Sequence, residues 1–160
     1  MLLNANQVES FLQTNGKGAK AQVGYDLTLK AVNLIGDGGQ VTINKTTLPE
    51  YHHLHSDDEM GDYFYFDKGN AYSLTFDQGI KLTTTTTGFV RHRSSVLRIG
   101  GVITSGVYDP CFEVDECGAV LLAYSHFAIQ KGARVAQLII FENNTAEAYN
   151  GQWAGAKDYK

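Results

Sequence analysis

Three arginines and two adjacent serines stand within the segment RHRSSVLR, residues 91–98. The whole chain carries a formal net charge of −4 at pH 7, so this concentration of cations needs an explanation. Guanidinium groups donate charge-assisted hydrogen bonds, and N–H groups at the start of a helical turn point toward phosphate oxygens. If Ser94 and Ser95 begin such a turn, a polyphosphate fits the segment. A solvated basic strand end is the alternative interpretation.

A carboxylate beside an aromatic ring follows in SGVYDPCF, residues 105–112. A turn that begins at glycine places Asp109 at the end of a strand next to Phe112, an arrangement that suits a sugar ring and a base. Further on, Gln137 is a lone amide in the apolar strand RVAQLIIF. Because a buried amide needs hydrogen-bond partners, Gln137 bonds either the backbone or a ligand.

Two other groups of potential metal ligands give weaker signals. Residues 49–62, PEYHHLHSDDEMGD, contain three histidines and several acidic residues. Neighbours on an extended chain point to opposite faces, and no helical i, i+4 pair is present, so we expect a solvated surface loop. Cys111 and Cys117 lack a second pair that would complete a zinc site, and we expect two free thiols.

Composition limits the class of protein. The 160 residues, 43% of them hydrophobic, suit a single domain spanning residues 1–160. The acidic balance, with a pI near 5.7, argues against nucleic acid as the main partner. Neither a signal sequence nor an apolar run long enough for a membrane span is apparent, so we expect a soluble cytoplasmic protein without a membrane partner.

The apolar pattern predicts a mainly β fold. A short helix is expected over residues 5–13, where Val8, Phe11 and Leu12 share one face. From residue 23 onward, period-two patterns and short apolar runs predict nine or more strands in an antiparallel sandwich or barrel. The runs are VGYDLTLKAVNLI, QVTINKT, DYFYF, AYSLTF, IKLTTTTTGFV, VITSGVY, AVLLAYS, FAIQ and RVAQLIIF. The glycine-rich residues 149–160 are expected to form a mobile tail.

Five segments in order resemble the motifs of the dUTPase and dCTP deaminase superfamily. They are VGYDL (23–27), RSSVLRIG (93–100), GVYDPCF (106–112), GARVAQLI (132–139) and YNGQWAG (149–155). Each motif is weak alone, but five in the correct order make a strong signal. The resemblance implies a jelly-roll-like distorted β-barrel of the dUTPase type with a short N-terminal helix. It also implies a homotrimer whose active sites are built from more than one chain.

The resemblance also implies roles for individual residues. Asp26 would lie near a Mg²⁺ ion and contact it through water. Asp109 would orient or deprotonate the attacking water. The residues expected to bind a deoxynucleoside triphosphate are Arg93, Ser94, Ser95, Arg98, Gln137, Phe112 under the deoxyribose, and Trp153 of the closing tail.

One departure from the family pattern separates its two activities. In the deaminase branch a glutamate acts as general acid and base from the strand after the third motif. That strand here, GAVLLAYS (118–125), contains no carboxylate, although Glu113 and Glu116 precede it. We therefore expect a Mg²⁺-dependent dUTP diphosphatase that produces dUMP and pyrophosphate. The alternatives are a dCTP deaminase, possibly bifunctional, another deoxynucleoside triphosphate pyrophosphatase, and a nucleotide-binding regulator without catalysis.

Overall fold

The computed structural model describes residues 1–144, which are mainly β. The described helices are α1 (Ala5–Glu9) and α2 (Ser94–Arg98). The strands are β1 (Leu12–Gln13), β2 (Ala19–Lys20), β3 (Tyr25–Ile35), β4 (Gln40–Val41), β5 (Thr46–Thr47), β6 (Tyr51–Leu54), β7 (Tyr63–Phe66), β8 (Ala71–Phe76), β9 (Gly79–Lys81), β10 (Thr86–His92), β11 (Gly101–Thr104), β12 (Glu113–Val114), β13 (Gly118–Ala123), β14 (Phe127–Gln130) and β15 (Arg134–Glu142).

Six antiparallel strands close into a barrel. Their order is β15–β10–β11–β13–β8–β3, and pairing between β3 and β15 completes the ring. Alternate residues of each strand point inward, as the period-two pattern predicts. The fully buried side chains of these strands include Leu27, Leu29, Leu74, Val90, Ile103, Leu121, Leu138 and Ile140. The predicted all-β barrel is confirmed.

Smaller sheets surround the barrel. β2 and β6 pair with opposite ends of β3, and β1, β9 and β12 form a separate sheet. The pairs β7–β14 and β4–β5 are two-stranded. β3 pairs with β2 and β15 near its start and with β6 and β8 further along, so it fixes the positions of residues from distant parts of the chain.

The N-terminal helix is shorter than the predicted range 5–13. Asn4 and Gln7 form a reciprocal capping box at its start, and the backbone N–H of Ser10 closes its end. Leu12 then pairs with Ile80 in a strand. The helical face was predicted correctly at Val8, which is buried, but strand pairing ends the helix at Glu9.

Two predicted strands are interrupted by turns. The threonine tract was assigned to one strand, yet only Thr86 and Thr87 belong to β10, and the Thr83 N–H donates to the Thr86 hydroxyl at 2.9 Å. Threonine hydroxyls that bond nearby backbone groups stabilise such turns. Residues 40–47 form a hairpin for a similar reason, because the Thr42 hydroxyl bonds the backbone of Lys45.

The histidine-rich segment is partly a strand, so its prediction as a solvated loop is wrong for four residues. Tyr51–Leu54 forms β6 and pairs with residues 32–35 of β3. His53 is opposite Asn33, and its ring nitrogen Nδ1 lies 3.3 Å from the Asn33 side-chain oxygen. The segment becomes a strand because the backbone of β3 supplies its hydrogen-bond partners, and this long-range pairing has no signal in the local sequence.

A buried polar network anchors the loop before β2 to the barrel. The two carboxylate oxygens of Asp77 accept bonds from Lys17 Nζ at 2.6 Å and from the Thr28 hydroxyl at 2.8 Å. The Gln78 amide donates to the same Thr28 hydroxyl at 2.9 Å, and its oxygen accepts the Thr28 N–H. Each buried polar side-chain atom described has a partner, so these hydrogen bonds offset the cost of burial and hold the loop beside β3.

Both cysteines are free thiols, as predicted. Complete burial raises the pKa of Cys117 to about 12. Across residues 1–144, none of the helices has both the length and the apolar composition that a membrane span requires. The expected tail, residues 149–160, lies outside the described part of the chain.

Candidate functional site

Buried Asp26 and two partly exposed arginines form a charge cluster at one end of the barrel. The Asp26 side chain, on β3, is 6% exposed. Its Oδ2 lies 3.1 Å from Arg93 Nε and 3.5 Å from Arg134 Nη1. Arg93 Nη1 also donates to the Arg134 carbonyl oxygen at 3.2 Å. Two guanidinium groups face one carboxylate, so the cluster retains a positive charge that attracts an anion.

A β-bulge brings Arg134 to the Asp26 face. Arg134 and Gln137 are three residues apart, so a regular strand would direct them to opposite faces. The pairing of β15 with β3 shifts register between Arg134 and Ala136, and the extra residue restores a common face. Arg134 is then opposite Thr28, while Gln137 is opposite Asp26.

Gln137 lies between two charged residues. It pairs with Asp26 on one side and with Arg91 of β10 on the other. The Gln137 amide is half-buried and lies in line with Asp26 and Arg91 across three adjacent strands, so it is not part of the apolar core. Gln137 also lines the cleft described next, and its contact with a ligand stays a prediction.

A cleft of about 530 Å³ opens beside this cluster, and we call it the cationic cleft. Its walls come from β2, the turn after it, β3, the end of β10 and β15. The lining residues are Lys20, Ala21, Gln22, Val23, Asp26, His92, Arg93, Ser94, Arg134 and Gln137. Among the described lining residues, Lys20, Arg93 and Arg134 are cationic and Asp26 is a carboxylate. Lys20 is paired with Glu9 at 3.2 Å, so the two arginines supply the excess positive charge that makes the cleft suitable for phosphate groups.

Helix α2 begins at the edge of the cationic cleft. Arg93 is its N-cap residue with extended backbone, and Ser94 is the first helical residue, so the predicted helical turn is confirmed. Ser94 lines the cleft, whereas Ser95 and Arg98 are exposed and do not line it. The structure thus brings together Asp26, Arg93, Ser94 and Gln137 but leaves Ser95 and Arg98 outside their group.

A second cavity, of about 420 Å³, lies over the outer surface of β8, β13 and β11, and we call it the apolar cavity. Its lining residues are Tyr51, Ser73, Thr104, Ser105, Gly106, Val107, Tyr108, Phe112, Gly118, Ala119 and Val120. Phe112, which we predicted to contact a sugar, is buried and stacks on Tyr108 with ring centroids 4.8 Å apart. A mainly apolar cavity with a few polar groups suits a small organic ligand.

Asp109 stands in a tight turn next to the apolar cavity. The Phe112 N–H donates to the Asp109 carbonyl oxygen at 3.0 Å, and Pro110 and Cys111 occupy the central positions. Cys111 has φ 65°, which is the positive φ that a type II turn requires at its third residue. The Asp109 carboxylate is exposed, and no hydrogen bond or ion pair to it occurs within residues 1–144.

One chain does not bring Asp109 to the cationic cleft. Tyr108 bridges to Gly88 of β10, whereas Arg93 follows the other end of that strand. Five residues separate Gly88 from Arg93, and a rise of about 3.3 Å per residue puts them roughly 16 Å apart. Asp109 and Arg93 of one chain therefore do not lie side by side, and the expectation that each active site is built from more than one chain stays a prediction.

The walls of the apolar cavity contain no carboxylate among the described residues. Glu113 and Glu116, the possible substitutes for a deaminase glutamate, lie elsewhere. Glu113 pairs with Lys81 at 3.1 Å, and Glu116 pairs with Lys30. Both carboxylates thus have cationic partners outside the cavity.

The two tyrosines beside the candidate carboxylates are structural. Tyr25 and Tyr108 are buried, and their hydroxyls donate to the carbonyl oxygens of Lys17 and Gly118 at 3.0 and 2.6 Å. Burial, together with the Glu9 carboxylate, raises the pKa of Tyr25 and keeps its hydroxyl protonated as a donor. Both tyrosines are therefore core residues.

Potential metal ligands are not clustered in the part of the chain that the structure describes. Within residues 1–144, no group of three or more His, Cys, Asp or Glu side chains is arranged to hold a metal ion. His53 and His55 are close, with ring centroids 5.0 Å apart, but they lack a third ligand there. Trp153, the expected aromatic residue of the tail, lies outside the described residues.

Sequence reasoning missed Lys20, Arg134 and Tyr51. Arg134 had a local signal, since it stands in the same GARVAQLI segment as Gln137. Lys20 and Tyr51 had none, because each reaches its cavity through pairing with β3.

Comparison with known proteins identifies archaeal relatives of similar length. The deoxyuridine 5′-triphosphate nucleotidohydrolase of Methanocaldococcus jannaschii is 27% identical over 158 residues, which covers 97% of this chain and 99% of that protein. A probable deoxyuridine 5′-triphosphate nucleotidohydrolase of Aeropyrum pernix is 25% identical over 150 residues, which covers 88% of each.

Solved structures with the same fold come from both branches of the superfamily. The native dUTPase of EIAV has a TM-score of 0.57 at 15% identity, covering 95% of this chain and 97% of that chain. The 2′-deoxycytidine 5′-triphosphate deaminase of Agrobacterium tumefaciens has a TM-score of 0.63 at 10% identity. That alignment covers 87% of this chain but 47% of the deaminase chain.

The family model described as dCTP deaminase-like matches residues 4–143. This match includes both cavities and the first four motifs of the sequence. The chain therefore belongs to the dCTP deaminase-like family, within the superfamily that contains the dUTPases and the dCTP deaminases.

Proposed function

We propose that this protein is a dUTP diphosphatase that hydrolyses dUTP to dUMP and pyrophosphate. The observation that carries the proposal is the pair of cavities on one barrel. One is cationic, and the other is apolar and has no carboxylate among its described lining residues. The names of the archaeal relatives support the same activity. Phosphoanhydride hydrolysis requires charge neutralisation and an activated water, whereas deamination also requires an acid and base beside the ring.

The cationic cleft would bind the triphosphate. Arg93 and Arg134 provide planar donors for phosphate oxygens, and Ser94 and Gln137 add a hydroxyl and an amide. In the free protein Asp26 balances part of this charge. An arriving triphosphate would compete with Asp26 for the guanidinium groups, so its carboxylate would become available to other partners.

The donor set fits Mg²⁺ only if the ion arrives with the nucleotide. Within residues 1–144, Asp26 is the one carboxylate that lines the cleft. Magnesium commonly keeps several waters and uses one or two carboxylates together with substrate phosphates. Asp26 would therefore contact a phosphate-bound Mg²⁺ through water, and the ion would neutralise phosphate charge. Arg93, Arg134 and Ser94 would orient the phosphate chain.

Asp109 is the proposed general base that activates the water attacking the α-phosphorus. Because it is remote from Arg93 within one chain, its role requires a neighbouring copy, and we propose a homotrimer with shared sites. The outer face of β10 and β15 supports such an assembly. Phe89 and Phe141 stack there with ring centroids 5.8 Å apart and remain partly exposed. Apolar surface of this kind is typical of subunit contacts.

The test is to incubate the protein with dUTP or dCTP and Mg²⁺ and to measure monophosphate, pyrophosphate and ammonia. We expect dUMP and pyrophosphate from dUTP. Ammonia from dCTP would contradict the proposal and indicate a deaminase. Nucleotide binding without turnover would indicate a regulator instead.

Asp109→Asn tests the proposed base directly. The change removes proton acceptance and keeps nearly the same shape, so turnover should fall at least 100-fold while dUTP affinity changes little. Glu113→Gln is the matched control, because it neutralises a nearby carboxylate that pairs with Lys81 outside the cavity. Parental turnover in Asp109→Asn would show that the assigned base is wrong.

A further inference from the structure

The histidine-rich segment 49–62 delivers an aromatic ring to the apolar cavity. Tyr51, the first residue of β6, is half-buried and lines that cavity. The other lining residues come from β8, β11 and β13 or from the connections after β11 and before β13. Tyr51 thus adds a wall from a separate part of the chain.

The register of β3 explains how Tyr51 reaches this position. Ile35 pairs with Tyr51 on one side of β3, and Asn33 pairs with Ser73 of β8 on the other. Ile35 and Asn33 are two residues apart and share a face, so Tyr51 and Ser73 share that face as well. The Gly36 N–H donates to the Glu50 carbonyl oxygen at 2.8 Å and fixes the backbone immediately before Tyr51.

Tyr51 differs from the two other aromatic residues of the cavity. Tyr108 and Phe112 are buried and stack on each other with an interplanar angle of 11°. The Tyr108 hydroxyl is occupied by the Gly118 carbonyl oxygen. The Tyr51 side chain makes no hydrogen bond and no ring contact within residues 1–144. Its hydroxyl and the exposed part of its ring are available to a ligand.

We propose that Tyr51 is a specificity-determining residue that contacts the pyrimidine base of the nucleotide. This inference rests on the proposed function and assigns one side chain of the apolar cavity to the base. Aromatic side chains stack on nucleobases because both have flat π faces. The phenol hydroxyl adds a donor and an acceptor for an exocyclic oxygen of the ring. A phosphate chain without a base gains nothing from Tyr51.

The experiment compares ligands with and without a base. Tyr51→Leu should raise the KM for dUTP and the Kd for dUMP about tenfold, the size expected for loss of one stacking contact. The Kd for inorganic tripolyphosphate should stay the same. Tyr51→Phe keeps the ring and should lose at most a few-fold in affinity. His52→Gln is the control, since this neighbour on β6 is exposed and does not line the cavity.

Three results would overturn the inference. An unchanged Kd for dUMP in Tyr51→Leu would show that the ring does not contact the base. Equal weakening of dUMP and tripolyphosphate would show a general structural role. If Tyr51→Leu fails to fold, Tyr51→Thr, with a residue that favours strands, should show the same base-dependent loss, and parental affinity would refute the inference.

The failure of the inference is distinguishable from the failure of the proposed function. A parent protein that binds dUMP but does not hydrolyse dUTP refutes the proposed function, and the dUMP affinities still test Tyr51. A parent protein that hydrolyses dUTP with no effect of Tyr51→Leu refutes the inference alone. A parent protein that binds neither nucleotide refutes both.

Discussion

The loop before β2 contains two glycines that respond differently to the same substitution. Gly16 and Gly18 have φ angles of +72° and +81°, which L side chains rarely adopt. A Cβ at Gly16 would meet nothing within 4 Å. A Cβ at Gly18 would lie 2.4 Å from the Asp26 carbonyl oxygen and 2.6 Å from the Tyr25 ring. The pair therefore separates backbone strain from close packing against β3.

The expected costs follow from these contacts. Gly16→Ala loses about 1–2 kcal/mol through the left-handed conformation. A less flexible unfolded chain recovers roughly 0.5–1 kcal/mol, so the net loss is about 0.5–1 kcal/mol. Gly18→Ala has the same terms plus a forced shift of the Asp26 backbone, and overpacking of this kind adds about 1–3 kcal/mol. We expect a total loss of roughly 1.5–4 kcal/mol for Gly18→Ala.

Urea unfolding of the two variants measures this difference. With a slope of about 2 kcal/mol/M, Gly18→Ala should lower the midpoint by roughly 0.8–2 M and Gly16→Ala by at most about 0.5 M. The shift of Asp26 should also raise the KM for dUTP in Gly18→Ala alone. Equal midpoints for the two variants would refute the argument that the loop packs closely against Asp26.

Two further predictions concern the site and its strained turn. Arg134→Gln should raise the KM for dUTP about tenfold with a smaller change in kcat, because it removes a cation from the cleft. The control Lys45→Gln removes a remote exposed charge and should match the parent protein. Equal effects of the two substitutions would show that only long-range electrostatics is involved. Cys111→Gly should raise the free energy of unfolding by about 0.5–1 kcal/mol, because glycine relieves the positive φ at the cost of a more flexible unfolded chain. A lower urea midpoint for Cys111→Gly would contradict that prediction.

Local pattern was sufficient for most of the barrel. The runs AYSLTF, DYFYF, FAIQ and RVAQLIIF each appear as a strand within a residue of the predicted bounds. Their β-branched and aromatic residues favour strands in any context where one face is buried. The threonine tract failed the same test, because threonine hydroxyls also bond nearby backbone groups and can stabilise a turn.

The polar side chains of the cationic cleft were only partly predictable. Asp26, Arg93, Ser94 and Gln137 were found through the order of their motifs, and the structure brings them together. Arg134 joins them because of a β-bulge, whose register shift is a property of two paired strands.

The chain's own composition and spacing determined the fold class, the free thiols and the segments from which a site can be built. These properties depend on alternation within short windows and on local turn chemistry, which are present in any conformation of the chain. Tertiary structure alone decided that Arg134 faces Asp26, that Tyr51 enters the apolar cavity, and that Asp109 lies at the other end of β10 from Arg93. The reason is that strand pairing joins residues far apart in sequence, and a shift of one residue in register exchanges the two faces of a strand.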